Sequence, residues 1–321
     1  MTTKERVLEL IKNEGGNAVS GENIAKTLGI SRAAVWKAIN SLRKDGYSIS
    51  AVTNKGYSMD GDYISASEIE AYLTDKSRYT ITVLKEIDST NTYLKSAAEK
   101  GEKDGAVVIA ENQTAGRGRL GRRFYSDKGG LYMSILIRPD MPTERSLFIT
   151  TGTAVAVSRA IEKVCGKKVG IKWVNDIFTH GKKVCGILTE GASDFETGRL
   201  QYAVVGIGIN FTEPKNKFNE EIADIATAIY EKDEPRGIKN QLTAEVLNQF
   251  SEIMKAPDDK TIIDEYRTRS ILIGKEVYIT ENNRMKKVTV VDIDDTAAII
   301  LKTDDGEIIK KTSGEISIKV K

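Results

Sequence analysis

The pattern of apolar residues changes twice along the chain and divides it into three parts. Residues 1–62 combine short amphipathic helices with a β-hairpin, residues 63–268 alternate strands with helices, and residues 269–321 contain only short strands. Alternating strands and helices predict a layered α/β or α+β domain, whereas short strands joined by tight turns predict a small barrel. We therefore expect an α+β protein of three domains with these boundaries.

The composition narrows the class of protein. A chain of 321 residues with 40% hydrophobic and 29% charged residues is typical of a globular protein of two or three domains. The net charge is only +2, so nucleic-acid binding would require a local basic patch. Cys165 and Cys185 form neither a disulfide framework nor a zinc spacing, which suits a reducing compartment. There is no apolar stretch of about 20 residues and no signal-peptide core, so we expect a cytoplasmic protein without a membrane partner.

The first part has the pattern of a winged helix-turn-helix. Helical spacing of apolar residues predicts helices over residues 3–14 and 32–44, with a short helix before Gly29 between them. Two short strands, residues 47–52 and 56–59, have the dimensions of a wing. A short helix, a tight turn and a basic helix are the arrangement that places a recognition helix in the DNA major groove. A helical packing module without DNA binding is the alternative.

The third helix supplies the predicted DNA contacts. Four residues lie near its N-terminal, groove-facing end, and four cations are placed for phosphate contacts, which position a protein without specifying sequence. The predicted groove-facing residues are Ser31, Arg32, Ala33 and Trp36, and the predicted phosphate contacts are Lys37, Arg43, Lys44 and Lys55. Trp36 has core packing as an equal alternative.

The other two parts contain further predicted elements. Strands are expected at residues 81–87, 106–110, 131–137, 184–190 and 202–209, the last two central in a sheet, with helices at 92–100 and 147–164. Five short strands are expected at residues 276–280, 287–293, 297–302, 307–311 and 315–320, which suits a barrel of SH3-like size. The candidate site is expected at strand ends.

The segment Gly116-Arg117-Gly118-Arg119-Leu120-Gly121-Arg122 carries the strongest functional pattern. Glycine lets the backbone approach a ligand closely, and the arginine guanidinium matches phosphate and carboxylate groups. A flexible cationic loop of this kind is what a site needs to close over two anions. A solvated basic loop is the alternative.

Other residues accompany this loop or exclude competing sites. Lys172-Trp173-Val174-Asn175-Asp176, Lys183 before Gly186, and Gly206-Ile207-Gly208-Ile209-Asn210 follow it along the chain. No P-loop pattern is present, and Phe211 stands where a dinucleotide-binding pattern needs its third glycine. His180, the single histidine, lies in a polar turn without companions for a metal site or a hydrolase triad.

With these motifs the chain resembles the biotin protein ligases, and more narrowly the members that also repress biotin genes. The family's Gly-Arg-Gly-Arg-x-Gly-Arg loop matches residues 116–122 at every fixed position. Its Lys-Trp-Pro-Asn-Asp motif matches residues 172–176 except at Val174, which removes a rigid φ but no chemical group. The resemblance extends from residue 1 to residue 321. It implies a central mixed sheet related to class II aminoacyl-tRNA synthetases.

The resemblance and the chemistry of the side chains together predict the site. The predicted catalytic residues are Lys183, Arg117, Arg119 and Arg122. The predicted biotin-binding residues are Ser89, Thr90, Asn91, Gln113, Gly116, Arg117, Gly118, Arg119, Tyr132, Ser134, Lys183, Gly186 and Gly206. The predicted ATP-binding residues are Arg119, Arg122, Lys172, Trp173, Asn175, Asp176 and Asn210. Trp173 and Leu188 are also expected to wall the valeryl chain of biotin, with core packing as the alternative for Trp173. Asp176 is the candidate Mg²⁺ ligand.

The implied activity joins biotin and ATP into biotinyl-5′-adenylate and passes biotin to a lysine of the biotin carboxyl carrier protein of acetyl-CoA carboxylase or of other biotin-dependent carboxylases. The implied regulation is repression of biotin genes by a homodimer, with the adenylate as co-repressor. Ordering of the arginine loop over the adenylate is the expected link to the dimer. Two alternatives remain: a ligand-sensing DNA-binding regulator without catalysis, and a lipoate ligase. The full set of cations disfavours the first, and the winged helix and intact loop disfavour the second.

Overall fold

The computed structural model describes residues 1–14, 17–44, 47, 49–52, 55–59, 63–214, 216–232, 234–235, 237–255, 259–281, 284–314 and 316–317. The first part contains the predicted winged helix-turn-helix. Its elements are α1 (Thr3–Asn13), α2 (Gly21–Leu28), α3 (Arg32–Lys44), β1 (Ile49–Val52) and β2 (Gly56–Met59).

Local sequence explains where these three helices begin and end. The Ser20 hydroxyl accepts a hydrogen bond from the Asn23 amide, and the Ser31 hydroxyl accepts one from the Ala34 amide. Each therefore caps a helix N-terminus. Gly29 ends α2 at φ 64°, a left-handed conformation that favours glycine. β1 and β2 pair antiparallel as a wing, of which residues 53 and 54 lie outside the described part of the chain.

The central part is built on a seven-stranded mixed sheet. Its strands are β3 (Thr80–Leu84), β4 (Ala106–Ala110), β5 (Leu131–Ile137), β6 (Gly170–Lys172), β7 (Asp176–Thr179), β8 (Lys182–Ser193) and β9 (Leu200–Ile209). Its helices are α4 (Ala66–Tyr72), α5 (Thr90–Glu99), α6 (Ser146–Cys165), α7 (Ile238–Lys255) and α8 (Asp259–Thr268). The strand order is β3-β4-β5-β9-β8-β7-β6, and only β3 and β4 pair in parallel. The prediction that β8 and β9 are interior strands is confirmed.

The two faces of this sheet are covered differently. The long helix α6 packs on one face and α7 packs against α6, and with the sheet they enclose the main hydrophobic core, which includes Val155, Leu247 and Val205. The shorter α5 covers part of the other face through a small cluster around Leu94 and Val204. Because α5 covers only part of that face, the remainder is open for a ligand site.

The last part forms a small β-domain, as predicted. Its five strands are β10 (Glu276–Glu281), β11 (Arg284–Ile293), β12 (Ile299–Thr303), β13 (Ile308–Lys311) and β14 (Ile316–Ser317). They form one antiparallel sheet in the order β13-β12-β11-β10-β14. The predicted extension of the last strand beyond residue 317 lies outside the described residues. None of the helices in the described ranges is long and apolar enough to cross a membrane.

Candidate functional site

Glycines on β8 and β9 open a cavity on the sheet face that α5 partly covers. Gly186 pairs across the strands with Gly208, and Leu188 pairs with Gly206, so these residues share one face. A Cβ atom at position 206 would lie 2.2 Å from the Asn91 side chain, and one at position 208 would lie 2.5 Å from the Phe124 ring. Side chains at these positions would therefore displace the residues that shape the cavity. The alternation of strands and helices predicts a site at strand ends. The cavity lies over the faces of β8 and β9 as well.

The smaller of two adjoining cavities is open to solvent, and the space between its wall residues has a volume of about 470 Å³. Its wall combines polar side chains from the N-terminus of α5 with glycines and apolar residues of β8 and β9. The lining residues are Ser89, Thr90, Asn91, Gln113, Arg117, Gly118, Arg119, Phe124, Met133, Asn175, Lys183, Gly186, Ile187, Leu188, Gly206, Ile207 and Gly208.

A hydrogen-bond network holds the polar end of this cavity. The Gln113 side-chain oxygen accepts hydrogen bonds from the backbone amide and the hydroxyl of Thr90, at 2.9 and 3.1 Å. The Gln113 amide donates to the Ser126 hydroxyl at 2.9 Å. The buried Ser134 hydroxyl donates to the Asn91 side-chain oxygen at 2.6 Å. The network holds donors and acceptors in place before a ligand arrives, as a specific polar pocket requires.

The larger cavity is an open groove of about 1740 Å³ and is richer in cations. It contains all seven residues that the sequence predicts for ATP: Arg119, Arg122, Lys172, Trp173, Asn175, Asp176 and Asn210. Residues of the C-terminal β-domain, Gly314, Ile316 and Ser317, also line it. The groove is therefore formed by the central and C-terminal parts together.

The two cavities share part of their walls. Gly118, Arg119, Phe124, Asn175 and Lys183 line both. Arg119 donates hydrogen bonds to the Asn175 side-chain oxygen at 3.0 Å and to the Gly314 carbonyl at 3.1 Å. Lys183 extends from the start of β8, and its Nζ lies 5.7 Å from the centre of the Phe124 ring. Two cations therefore stand where a ligand in one cavity would meet a ligand in the other.

The arginine loop is folded back on itself between these cavities. The Gly118 amide donates to the Arg122 carbonyl at 2.7 Å, and a short 3-10 turn spans Arg119–Gly121. Leu120 and Gly121 have φ values of 56° and 75°. This turn directs Arg117 toward the smaller cavity and Arg122 toward the larger one.

One acidic side chain stands beside the shared wall of the cavities. The Lys183 Nζ lies 2.7 Å from the Asp176 Oδ1 and forms an ion pair with it. The Asp176 Oδ1 is buried, and it accepts no further hydrogen bond from the described residues. Within the described ranges, no group of three or more His, Cys, Asp and Glu side chains is arranged to hold a metal ion. A metal ion that arrives bound to a phosphate ligand could therefore be coordinated here by the Asp176 carboxylate, but not by a complete set of protein ligands.

Several predicted residues lie outside the walls of the smaller cavity. Ser134 stands behind the wall and holds Asn91, while Gly116 lies against Phe124 and Ser126. The Tyr132 hydroxyl donates to the Asp127 carbonyl at 2.7 Å, and its ring packs edge-on against Phe124. These contacts place the three residues in support of the wall, because residues that line the cavity pack on them.

Trp173 also differs from one of the roles expected of it. It lines the larger cavity, so it does not wall the smaller one beside Leu188. The indole is only 4% exposed, and its Nε1 donates to the Ala297 carbonyl at 3.0 Å. It thus joins the central part to the C-terminal β-domain. The Trp173–Val174 peptide bond is cis.

The sequence patterns did not predict that Phe124 and three residues of the C-terminal β-domain belong to the site. Phe124 follows the arginine loop directly and enters the space left by Gly186 and Gly208. The unusual glycine density on paired strands was the available signal, because glycines facing a cavity imply a group packed closely against them. No sequence pattern indicated that Gly314, Ile316 and Ser317 border the groove. Gly314, for example, is 195 residues from Arg119, to which it is hydrogen-bonded.

The predicted DNA-binding residues are exposed, with one exception. Ser31, Arg32, Ala33, Lys37, Lys44 and Lys55 are exposed. Trp36 is 58% exposed, so it is not a core residue of the helical domain. Arg43 is half-buried, and its Nε donates to the Ile49 carbonyl at 2.8 Å, which ties α3 to the wing. This contact indicates that Arg43 stabilises the domain, in addition to any contact with phosphate.

Comparison with known proteins agrees with this arrangement. A model of the biotin/lipoate A/B protein ligase family matches residues 83–210, a helix-turn-helix domain model matches residues 3–58, and a model of the biotin protein ligase C-terminal domain matches residues 272–319. The bifunctional ligase/repressor BirA of Bacillus subtilis is 39% identical over 232 residues, which is 71% of each chain. The chain belongs to the biotin protein ligase family. The bifunctional ligase/repressor BirA of Escherichia coli is 36% identical over 213 residues, 65% of this chain and 64% of that protein.

Solved structures of the family share the fold. The biotin protein ligase from Aquifex aeolicus in complex with biotin and ATP superposes with a TM-score of 0.62 at 31% identity. The superposition covers 74% of this chain and 97% of that chain. Biotin and ATP are thus bound together by a relative with the same central fold, which is consistent with two adjoining cavities in this member of the family.

Proposed function

We propose that this protein is an ATP-dependent biotin protein ligase that also represses biotin genes. The observation that carries the enzymatic part is the meeting of two cavities at Arg119 and Lys183. The smaller cavity has the polar end and the apolar wall suited to biotin, and the larger cationic groove suits ATP. The presence of the helix-turn-helix domain, and the names of the relatives that share it, support the repressor part.

The first step activates the carboxylate of biotin. A carboxylate oxygen attacks the α-phosphorus of ATP, the bond from that phosphorus to the bridging oxygen breaks, and pyrophosphate leaves. Both reactants are anions, so positive charge at their junction lowers the barrier. Lys183 and Arg119 supply that charge from the shared wall, while Arg122 and Lys172 in the groove suit the phosphates.

The second step transfers biotin to a lysine of a carboxyl carrier protein. The neutral ε-amine attacks the acyl carbon of the adenylate and an amide bond forms. The bond from that carbon to the phosphate oxygen breaks, AMP leaves, and one amine proton passes to solvent. Between the two steps the adenylate must be kept from water. The arginine loop and Phe124 border both cavities and are the elements placed to exclude it.

Mg²⁺ belongs to this proposal as part of the substrate MgATP. A magnesium ion on ATP phosphates needs few protein ligands because it keeps several waters. The Asp176 carboxylate, which borders the larger cavity beside Lys183, fits such a ligand. Removal of Mg²⁺ should therefore weaken ATP binding more than biotin binding, which calorimetric titration of each ligand measures.

Repression is proposed to depend on the adenylate. Closure of the loop around the adenylate would complete a homodimer surface, and two helix-turn-helix units would then favour a palindromic operator. The molar mass in solution, measured by light scattering with and without biotin and ATP, tests this. A doubling of mass with both ligands is expected, and an unchanged mass would contradict it.

Pyrophosphate exchange tests the enzymatic part and separates the rivals. Radiolabelled pyrophosphate should enter ATP when biotin is supplied and not when lipoate is supplied. Exchange with lipoate alone would contradict the biotin ligase proposal and indicate a lipoate ligase. Exchange with neither acid would support a sensor without catalysis.

A further inference from the structure

Glu190 is an acidic side chain beside the smaller cavity, whose lining residues are all neutral or cationic. It lies on β8 two residues after Leu188, so the two side chains share the face of the sheet that carries the cavities. Its side chain is only 17% exposed. Neither biotin nor ATP, both of which are anions, gives a reason for a carboxylate at this position.

The contacts of Glu190 divide between its two oxygens. One oxygen accepts a hydrogen bond from Lys95 Nζ at 2.9 Å and lies 3.4 Å from Arg117 Nη2. The other accepts a hydrogen bond from the Asn91 side-chain amide at 3.0 Å. Asn91 and Lys95 are one helical turn apart on α5, so a single carboxylate joins that helix, strand β8 and the first arginine of the loop.

Asn91 is held at three points as a result. Its amide nitrogen donates to Glu190 and, at 3.2 Å, to the Leu188 carbonyl, while its oxygen accepts from Ser134. Its side chain lies against Gly206, where a Cβ atom would be 2.2 Å away. The orientation of the amide is therefore set by its neighbours, and Glu190 provides the only charged one among the described contacts.

The carboxylate remains ionised in this environment. Burial raises the pKa of Glu190, but the hydrogen bonds from Asn91 and Lys95 and the charges of Lys95 and Arg117 outweigh it and hold the pKa below its usual value. One negative charge thus lies between two positive ones, and this corner of the site keeps a net positive charge.

We propose that Glu190, held by Lys95, is a positioning residue that orients Asn91 and Arg117 for recognition of biotin. Asn91 and Arg117 line the smaller cavity and do not line the larger one. Glu190 therefore acts on the biotin side of the reaction and not on the ATP side. The inference rests on the assignment of the smaller cavity to biotin.

The test is a comparison of Glu190→Ala and Glu190→Gln with the wild-type protein in the exchange assay. Glu190→Ala removes the charge and the acceptor of Asn91, whereas Glu190→Gln keeps an oxygen for Asn91. We expect Glu190→Ala to raise the KM for biotin by about tenfold or more, because Asn91 and Arg117 lose the group that orients them. A tenfold change corresponds to about 1.4 kcal/mol of binding free energy. The KM for ATP should stay within about twofold, and Glu190→Gln should be intermediate.

A matched control removes a buried carboxylate elsewhere. Glu245 on α7 pairs with Lys163 at 2.9 Å and is 11% exposed, so Glu245→Ala breaks a comparable ion pair away from the cavities. It should leave the ratio of the two KM values unchanged. An equal rise in both KM values for Glu190→Ala, or a change no larger than that of Glu245→Ala, would overturn the proposal.

Calorimetric titration with biotin alone separates this inference from the proposed activity. If the wild-type protein binds biotin without catalysing exchange, the ligase proposal fails while the dissociation constants of the variants still test Glu190. If exchange is normal and Glu190→Gln and Glu190→Ala bind biotin as tightly as wild type, only the positioning role fails. Should Glu190→Ala not show a cooperative unfolding transition, Glu190→Gln decides the outcome.

Discussion

The cavities over β8 and β9 exist because side chains are absent at a few positions. Gly186 and Gly208 face each other across the strands, and the Phe124 ring occupies part of the space they leave. The ring in turn lies against Lys183, which borders both cavities. Single residues therefore control both the shape and the charge of the junction.

The change Gly208→Ala should impair biotin binding without unfolding the protein. Its Cβ would lie 2.5 and 2.7 Å from two atoms of the Phe124 ring, which must move into the cavity or away from it. We expect affinity for biotin to fall by about tenfold or more, measured by calorimetry. Val205→Ala, on the opposite face of the same strand, is the control. It should cost roughly 1–3 kcal/mol of stability and leave biotin affinity intact. Unchanged affinity in Gly208→Ala would contradict the packing described.

Lys183→Ala should slow adenylate formation by about 100-fold or more, because it removes positive charge where two anions meet. Lys182→Ala is the matched control, since Lys182 lines neither cavity and its Nζ donates to the Ala223 carbonyl. Adenylate yield after a single turnover, with the unfolding temperature of each variant, checks this. Equal rates for the two variants would remove Lys183 from the mechanism.

At the scale of elements, α3 and the arginine loop each present a continuous surface that their sequences predict only in part. α3 buries Val35, Ile39 and Leu42 and exposes Trp36 and its N-terminal turn. The loop folds into a turn that separates its arginines between the two cavities. The sequence pattern identifies each element, namely the helical spacing for α3 and the motif for the loop. The neighbouring elements decide which of its side chains stay accessible to a ligand or to DNA.

The double change Lys37→Ala and Lys44→Ala should weaken operator binding and flatten its salt dependence. Both lysines are exposed, unlike Arg43, which the wing partly covers. Loss of two phosphate contacts should reduce the slope of log K against log salt by up to about two. Lys100→Ala with Lys103→Ala changes the net charge equally outside the helix-turn-helix and should leave the slope unchanged. A slope unaffected by the α3 changes would mean that DNA contacts another surface.

At the scale of the whole molecule, polar contacts join the three parts. Glu68 on α4 accepts hydrogen bonds from Lys12 of α1, from the Tyr63 hydroxyl, and from Asn240 of α7 at 3.0 Å. Trp173 donates to Ala297, and Arg119 donates to Gly314, so the C-terminal domain is joined to the ATP groove. These contacts hold the helix-turn-helix and the groove in defined positions relative to the central sheet.

Glu68→Ala should loosen the helix-turn-helix from the central part. It leaves the Lys12 ammonium, whose pKa burial already lowers, without its carboxylate partner, and it leaves Asn240 with one contact fewer. We expect a loss of about 1–3 kcal/mol in the free energy of unfolding and weaker operator binding, with pyrophosphate exchange retained. Glu70→Ala on the same helix is the control, because the Glu70 carboxylate forms no ion pair or hydrogen bond with another residue in the described part of the chain. Denaturant unfolding and operator titration measure both effects, and equal behaviour of the two variants would contradict the role of Glu68.

Much of the fold was predictable because it follows from local patterns. Helical spacing and serine caps define α2 and α3, an alternating pattern predicts β5, and an apolar run of strand-forming residues predicts β9. The elements missed were α4, α7 and α8 and the short strands β6 and β7. The two strands have three and four residues, too few for a period to show, and most of the α7 surface is buried, so its pattern is not strongly two-sided.

The amino-acid sequence alone determined the three-part organisation, the cationic loop and the family, because these depend on periodicity and on motifs of adjacent residues. Only the tertiary structure decided that Phe124, Glu190 and Gly314 belong to the site, that Arg43 supports the wing, and that Trp173 faces the larger cavity. Those roles depend on contacts between residues distant along the chain, and such contacts are set by how the helices and the small β-domain pack on the sheet.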